Sequence, residues 1–223
     1  MLPTQTTYEV PSARVTYTII CAGGTGTRFG GDTPKQFIEI KSAPMLLHSI
    51  RAFAPFGKVI VGANPEYFDK IRALAPAVHT AVAGRDRNST IKNALNYIAE
   101  NLSPNEDDII LTHDAARPYV SSELIERMLA AVQKHGAASP AIPATDTILV
   151  ANAERFVENV PDRSTLFGAQ TPQGATFAIM QKLYADTAQS TDLCGLCAQN
   201  DIPIKIVDGD IQNIKVTYKE DIG

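Results

Sequence analysis

The segment Ala22-Gly23-Gly24-Thr25-Gly26-Thr27-Arg28, followed by Pro34-Lys35-Gln36, constrains this chain more than any other. It comes directly after a short apolar run, Tyr17–Cys21, that reads as a buried strand. Glycines let the backbone approach a ligand closely and turn its N–H groups toward phosphate oxygens. Arg28 and Lys35 place two positive charges on the same loop. A buried strand that opens into glycines, an arginine and a lysine describes a triphosphate cradle. The loop is not a Walker A motif, because no Gly-Lys-Ser/Thr occurs in the chain. It is not the dinucleotide fingerprint either, since Phe29 stands where the third glycine belongs.

Apolar runs alternate with helical patterns along the rest of the chain. Strands are predicted at Lys58–Ala63, Thr80–Ala83, Asp108–Thr112, Ala138–Ile142 and Ile204–Val207. Helices are predicted at Pro44–Phe53, Pro65–Leu74, Ser89–Glu100, Ser121–His135, Gly174–Thr187 and Asp192–Asn200. This alternation predicts an α/β fold with a mostly parallel sheet flanked by helices. With 223 residues, 44% of them hydrophobic, one domain over residues 15–223 can bury a sizeable core. Residues 1–14 are polar and carry two prolines; they read as a mobile tail or a cloning remnant. The segment Thr147–Asn159 breaks the alternation and reads as two short strands around a turn at Asn152–Glu154. A lone hairpin is only marginally stable in water, so this arm, about residues 145–170, needs a packing surface such as a second subunit.

The net charge of −4 argues against general nucleic-acid binding. No apolar run reaches the ~20 residues of a membrane span. Cys21, Cys194 and Cys197 form no complete zinc set, and their odd number suits a reducing cytoplasm.

Three further stretches carry chemistry. Thr112-His113-Asp114-Ala115-Ala116-Arg117-Pro118 ends a strand and precedes a helix, the edge where ligands collect in open α/β sheets. Asp114 can contact a metal or a ligand hydroxyl, and Arg117 can hold a phosphate or polyol in a fork. His113 reads as a packed histidine rather than a catalytic one. Gly84-Arg85-Asp86-Arg87-Asn88-Ser89-Thr90 opens a helix, where free N–H groups suit a polar or anionic ligand. Ser89 and Thr90 read equally well as helix caps. Arg163, Gln170-Thr171-Pro172-Gln173 and Asn213-Ile214-Lys215-Val216-Thr217 have no such local logic of their own.

Taken in order, AGGTGTR, PKQF, GRDRNSTIKNA, THDAARP, TDTI, QTPQG and NIKVT resemble the cytidylyltransferases that act on polyol phosphates. The resemblance implies a Rossmann-like nucleotide-binding sheet with a protruding β-hairpin arm, and a cytoplasmic homodimer in which the arm reaches the partner's site. It implies that Ala22, Gly23 and Gly24 line the nucleotide pocket. Arg28 and Lys35 would hold the CTP triphosphate, and Lys215 would bind near the reacting phosphates. Gly84 and Thr90 would read the cytosine. Asp114 would meet the ribose and a Mg²⁺ ion, and Arg117 the polyol. Thr147 would touch the substrate, with Arg163 and Thr171 arriving from the other subunit's arm. Asp86-Arg87-Asn88 and Thr191-Asp192 look more like the ribitol 5-phosphate branch, which is the first expectation. Ala115-Ala116 and Gln170–Gly174 look more like the methylerythritol 4-phosphate branch, the alternative. A nucleotide-sugar pyrophosphorylase shares the first loop but is not expected to carry HDAARP and NIKVT together. A non-catalytic nucleotide binder is expected to lack one of the three cations.

Overall fold

A computed structural model describes residues 14–24, 33–185 and 190–222 of the chain. Arg28, and the predicted tail apart from Arg14, lie outside the described residues. In chain order, β1 (Thr16–Cys21) leads through the described part of the glycine loop and a 3₁₀ turn at Lys35–Phe37 to β2 (Glu39–Ile40) and β3 (Ala43–Pro44). Next come α1 (Met45–Phe53), β4 (Lys58–Ala63), α2 (Phe68–Leu74), β5 (His79–Val82), α3 (Arg87–Leu102), β6 (Ile109–Asp114), α4 (Ser122–His135) and β7 (Ala137–Pro143). The short strands β8 (Val150–Ala151), β9 (Val157–Asn159) and β10 (Phe167–Ala169) precede β11 (Gln173–Thr176). The chain continues with α5 (Phe177–Tyr184), α6 (Leu193–Gln199) and β12 (Lys205–Asp208).

The central sheet runs β10-β7-β11-β6-β1-β4-β5, with β12 also paired to β7. β6, β1, β4 and β5 are mutually parallel, and β12 runs parallel to β7. β11 is antiparallel to both β6 and β7, and β10 is antiparallel to β7. Both faces of the parallel strands are buried, so alternate side chains enter two separate cores. Ile20, Val59, Val61, Ile109 and Leu111 pack with Leu46, Ile50, Ile71, Leu124 and Met128 from α1, α2 and α4. Tyr17, Ile19, Ile60 and Ile110 pack with Ile91, Leu95, Met180 and Leu196 from α3, α5 and α6. Cys197 belongs to this second core.

The ends of α4 are set by its sequence. Ser121 caps it by accepting from the Leu124 N–H at 3.3 Å, and Gly136, at φ +82°, closes it. The predicted helix at Gly174–Thr187 begins later than expected. Gln173–Thr176 is a strand instead, and α5 starts only after Thr176, whose hydroxyl caps it. A Cβ on Gly174 would sit 2.6 Å from the Leu111 side chain and 3.1 Å from the Ile110 carbonyl, so β11 fits against β6 only because residue 174 has none. The predicted helix at Pro65–Leu74 is a 3₁₀ turn over Pro65–Tyr67 that continues as α2.

The predicted hairpin is present as a separate two-stranded sheet, β8 against β9. Its turn is closed by the Asn152 side chain, which accepts from the Phe156 N–H at 2.9 Å. Arg155 takes the left-handed conformation there, at φ +68°. Ile148, Leu149, Val150, Phe156 and Val157 are all exposed. Among the described residues, no helix is long and apolar enough to cross a membrane.

Candidate active site

β1, β5 and β6 are parallel members of one sheet and end at the same edge, as ligand-binding α/β sheets require. At that edge lies an open cleft of about 300 Å³. The turn after β1 supplies Ala22, Gly23 and Gly24; the segment after β5 supplies Gly84, Asp86, Arg87 and Thr90; β6 supplies Asp114; the 3₁₀ turn supplies Lys35; and the C-terminal segment supplies Lys215. Predicted site residues from five separate stretches therefore share one cavity. Two glycines are fixed by crowding. A Cβ on Gly23 would lie 2.4 Å from that of Ala83, and one on Gly84 would lie 2.3 Å from the Ser89 hydroxyl.

The turn between β5 and α3 is held by its own polar side chains. Asp86 caps α3 by accepting from the Ser89 N–H at 2.7 Å, and Ser89 reciprocates by accepting from the Asp86 N–H at 3.0 Å. The Thr90 hydroxyl accepts from the Gly84 N–H at 3.0 Å and donates to the Asp86 carbonyl at 2.8 Å. Thr90 thus shapes the turn that borders the cleft.

The electrostatic centre is Asp114. The Arg87 Nε–H donates to its Oδ1 at 2.9 Å, and the Lys215 ammonium donates to its Oδ2 at 2.7 Å. Burial alone would raise the Asp114 pKa, but the two cations overcome that cost and hold it well below the usual carboxylate range. Arg87 is not among the residues expected to form the site. Its place at the first residue of α3, beside the capping Asp86, is legible in GRDRNST, but its partner lies 27 residues further on.

His113 lies directly beneath and is fully buried against Phe53, at 4.8 Å between ring centres. Its Nε2 pairs with the Arg117 carbonyl at 3.0 Å, so that nitrogen carries the proton. Nδ1 therefore accepts from the Thr171 hydroxyl at 3.1 Å, and the same hydroxyl accepts from the Asp114 N–H at 3.2 Å. Every polar atom of the ring is satisfied in its neutral form. Burial pushes the pKa down from 6.5 to about 4. In the unfolded chain the ring protonates below about pH 6.5, whereas the folded protein resists until about pH 4. This contribution to stability is complete above the unfolded pKa and is lost as pH falls toward the folded one. From about pH 7.5 to about pH 5, the wild-type chain is expected to lose about 2 kcal/mol more stability than His113→Gln does, as urea melts at the two pH values measure. Equal losses in the two proteins would refute this account of His113.

Four of the expected substrate contacts are not among the residues that line this chain's cleft. Arg117 does not line the cleft; its guanidinium donates to the Asn213 carbonyl at 2.6 Å. Two further bonds fix the same segment: the Val216 N–H donates to the Ala116 carbonyl at 2.8 Å, and the Asn213 side chain donates to the Thr171 carbonyl at 2.8 Å. In this chain Arg117 therefore anchors the segment that carries Lys215. Thr171 is not part of the exposed arm, because β10 and Gln170 return the chain to the sheet before it and bury it under this chain's own site. Thr147 and Arg163 are exposed and outside the cleft, and Arg163 donates to the Thr145 carbonyl at 2.9 Å.

The parallel strands of the sheet gather at their carboxyl edge a glycine turn, two lysines and a carboxylate clamped between cations, the arrangement expected of a nucleotidyltransferase, and the comparisons with known proteins show the class. The chain belongs to the 2-C-methyl-D-erythritol 4-phosphate cytidylyltransferase family, IspD, whose family model matches residues 16–223. It is similar to a solved 4-diphosphocytidyl-2C-methyl-D-erythritol synthase, with 28% identity, a TM-score of 0.79 and coverage of 94% of this chain and 96% of that one. The 2-C-methyl-D-erythritol 4-phosphate cytidylyltransferase of Francisella tularensis matches with 26% identity and a TM-score of 0.78 over 93% of this chain and 96% of that one. The Thermus thermophilus enzyme, at 24% identity, shares the fold, with a TM-score of 0.74 over 92% of this chain and 94% of that one.

Proposed function

We propose that this cytidylyltransferase uses CTP and 2-C-methyl-D-erythritol 4-phosphate, forming the CDP-methylerythritol of isoprenoid biosynthesis and releasing diphosphate. The observation that carries the reading is the family match across residues 16–223. It favours the methylerythritol alternative over ribitol 5-phosphate, for which the comparisons give no support. In the reaction an oxygen of the acceptor phosphate attacks the α-phosphorus of CTP. The bond from that phosphorus to the bridging oxygen breaks, and its electrons leave with diphosphate. Both reactants are anions, so the protein's work is positioning and charge stabilisation. The backbone of Ala22, Gly23 and Gly24 lies where the phosphates enter, and Arg28, Lys35 and Lys215 supply positive charge. The turn at Gly84–Thr90 shapes the cytosine pocket, and Asp114 faces the ribose.

Asp86 and Asp114 are the carboxylates of the described cleft, and a Mg²⁺ ion on Asp114 would take the place of the Lys215 ammonium on Oδ2. Asp114 is a carboxylate kept ionised at the cleft, and Mg²⁺ is ordinarily held by one or two carboxylates plus substrate phosphates while keeping several waters. When bound, the ion would neutralise charge on the departing diphosphate. The exposed apolar arm supports a homodimer in which Arg163 serves the partner's cleft. Diphosphate release measured with CTP against ATP, GTP and UTP, and with methylerythritol 4-phosphate against ribitol 5-phosphate, tests the reading. Turnover confined to CTP with methylerythritol 4-phosphate is expected; preference for ribitol 5-phosphate would reverse the choice of acceptor.

A further inference from the structure

We infer that Arg87 is a positioning residue of this cleft: its guanidinium, fixed on Asp114 from the first turn of α3, sets where the Lys215 ammonium points. The inference rests on the proposed function for what Lys215 does, and on geometry alone for what Arg87 does.

Asp114 has two oxygens, and each is committed to one cation. The Lys215 side chain is nearly half exposed, on a flexible stem with many rotamers. A single carboxylate can orient that stem only if the carboxylate itself cannot rotate. Rotation of Asp114 is stopped by the Arg87 Nε–H on the oxygen opposite Lys215, while Nη2 reaches the Thr112 hydroxyl at 3.5 Å. Arg87 is in turn held at its own end, since α3 starts there with a complete capping box. The link therefore runs from a rigid helix end through a buried carboxylate to a mobile ammonium.

Stability alone is a poor reason for this arrangement. Arg87 is a largely buried cation whose Nη1 has no hydrogen-bond partner among the described residues. Buried ion pairs with an unsatisfied donor contribute little net stability, and apolar replacements of similar volume are often neutral or better. A residue that carries such a cost while holding the carboxylate of the cleft in register is explained by what it aims.

The test is a double-mutant cycle. Arg87→Ala is expected to lower kcat about 100-fold, the size of effect that a small misplacement of a reacting group produces. In the Lys215→Ala background the same substitution is expected to add nothing, because there is no ammonium left to aim. Equal losses in both backgrounds would overturn the inference, since a general structural defect acts in either. Arg87→Lys, which keeps a cation beside Asp114 but loses the planar fork, is expected to lose about tenfold and carries the cycle if the alanine variant does not fold. Wild-type turnover in Arg87→Lys would also overturn it. A readout independent of substrate is the ¹⁵Nζ order parameter of Lys215, which should fall in either Arg87 variant; an unchanged value would refute the aiming role. Inactivity of the wild-type enzyme toward methylerythritol phosphate would instead strike at the proposed acceptor and leave the order-parameter test standing.

Discussion

Lys215→Ala is expected to lower kcat by about 10²–10³, the range seen when one preorganised donor is removed from a site of developing charge. The ammonium lies 2.7 Å from the Asp114 carboxylate at the lip of the cleft, and it is 46% exposed, so it can swing toward a bound phosphate without breaking the fold. Two effects combine in the variant. On the proposed function a cation is lost where charge builds on the oxygens of the reacting phosphates, and Asp114 keeps only Arg87 to balance its charge. The first effect falls on kcat, because it acts where charge develops; the second tightens rather than loosens the Arg87 contact. The Michaelis constant for CTP should therefore change by only a few-fold, since the glycine turn and the Gly84–Thr90 turn, to which the proposed function assigns nucleotide binding, are untouched. Lys215→Arg should rescue poorly, because a planar fork held by Asp114 cannot deliver a compact charge to the same point. Steady-state kinetics on the three proteins decides the matter; a loss below about threefold in Lys215→Ala would move the reacting phosphates elsewhere.

The parts of this protein that can be read from the sequence are those governed by local rules. Strands buried on both faces appear as apolar runs, so β1, β4 and β6 lie within a few residues of their predicted bounds. Serine and glycine mark the ends of α4 because capping is a near-neighbour effect. What escapes is non-local. Gln173–Thr176 carries no strand signature, and only its two neighbours, β6 and β7, force it to extend. Arg117 has the chemistry of a ligand fork, but the carbonyl that occupies it returns 96 residues later. Thr171 adjoins the arm in sequence, whereas the backbone of Asp114 and the His113 ring claim it from below. Arg87 escapes for the same reason: its meaning depends on Asp114, which α3 separates from it in the chain.

The hairpin arm carries a cluster of exposed apolar side chains. Phe156 is 71% exposed at the hairpin turn, and Leu149 and Val157 beside it are each 56% exposed. So much apolar surface on two short strands is a poor design for a solitary chain and a good one for an interface. Arg163 follows the hairpin and lies outside its own chain's cleft, and in the proposed dimer it serves the partner's cleft. Arg163→Ala and Lys215→Ala are therefore each expected to be nearly inactive alone. When the two are unfolded together and refolded, half of the dimers become mixed. Each mixed dimer holds one site with an intact cleft facing an intact arm, and one site lacking both residues. Activity should recover to roughly one quarter of the wild-type value per total protein, because symmetric pairing makes half the dimers mixed and half their sites whole. Recovery should rise as the ratio of the two variants approaches equality and vanish when either is alone. If a mixed dimer verified by native mass spectrometry stays inactive, Arg163 and Lys215 act in the same chain, and the shared site is wrong even though the cytidylyltransferase chemistry stands.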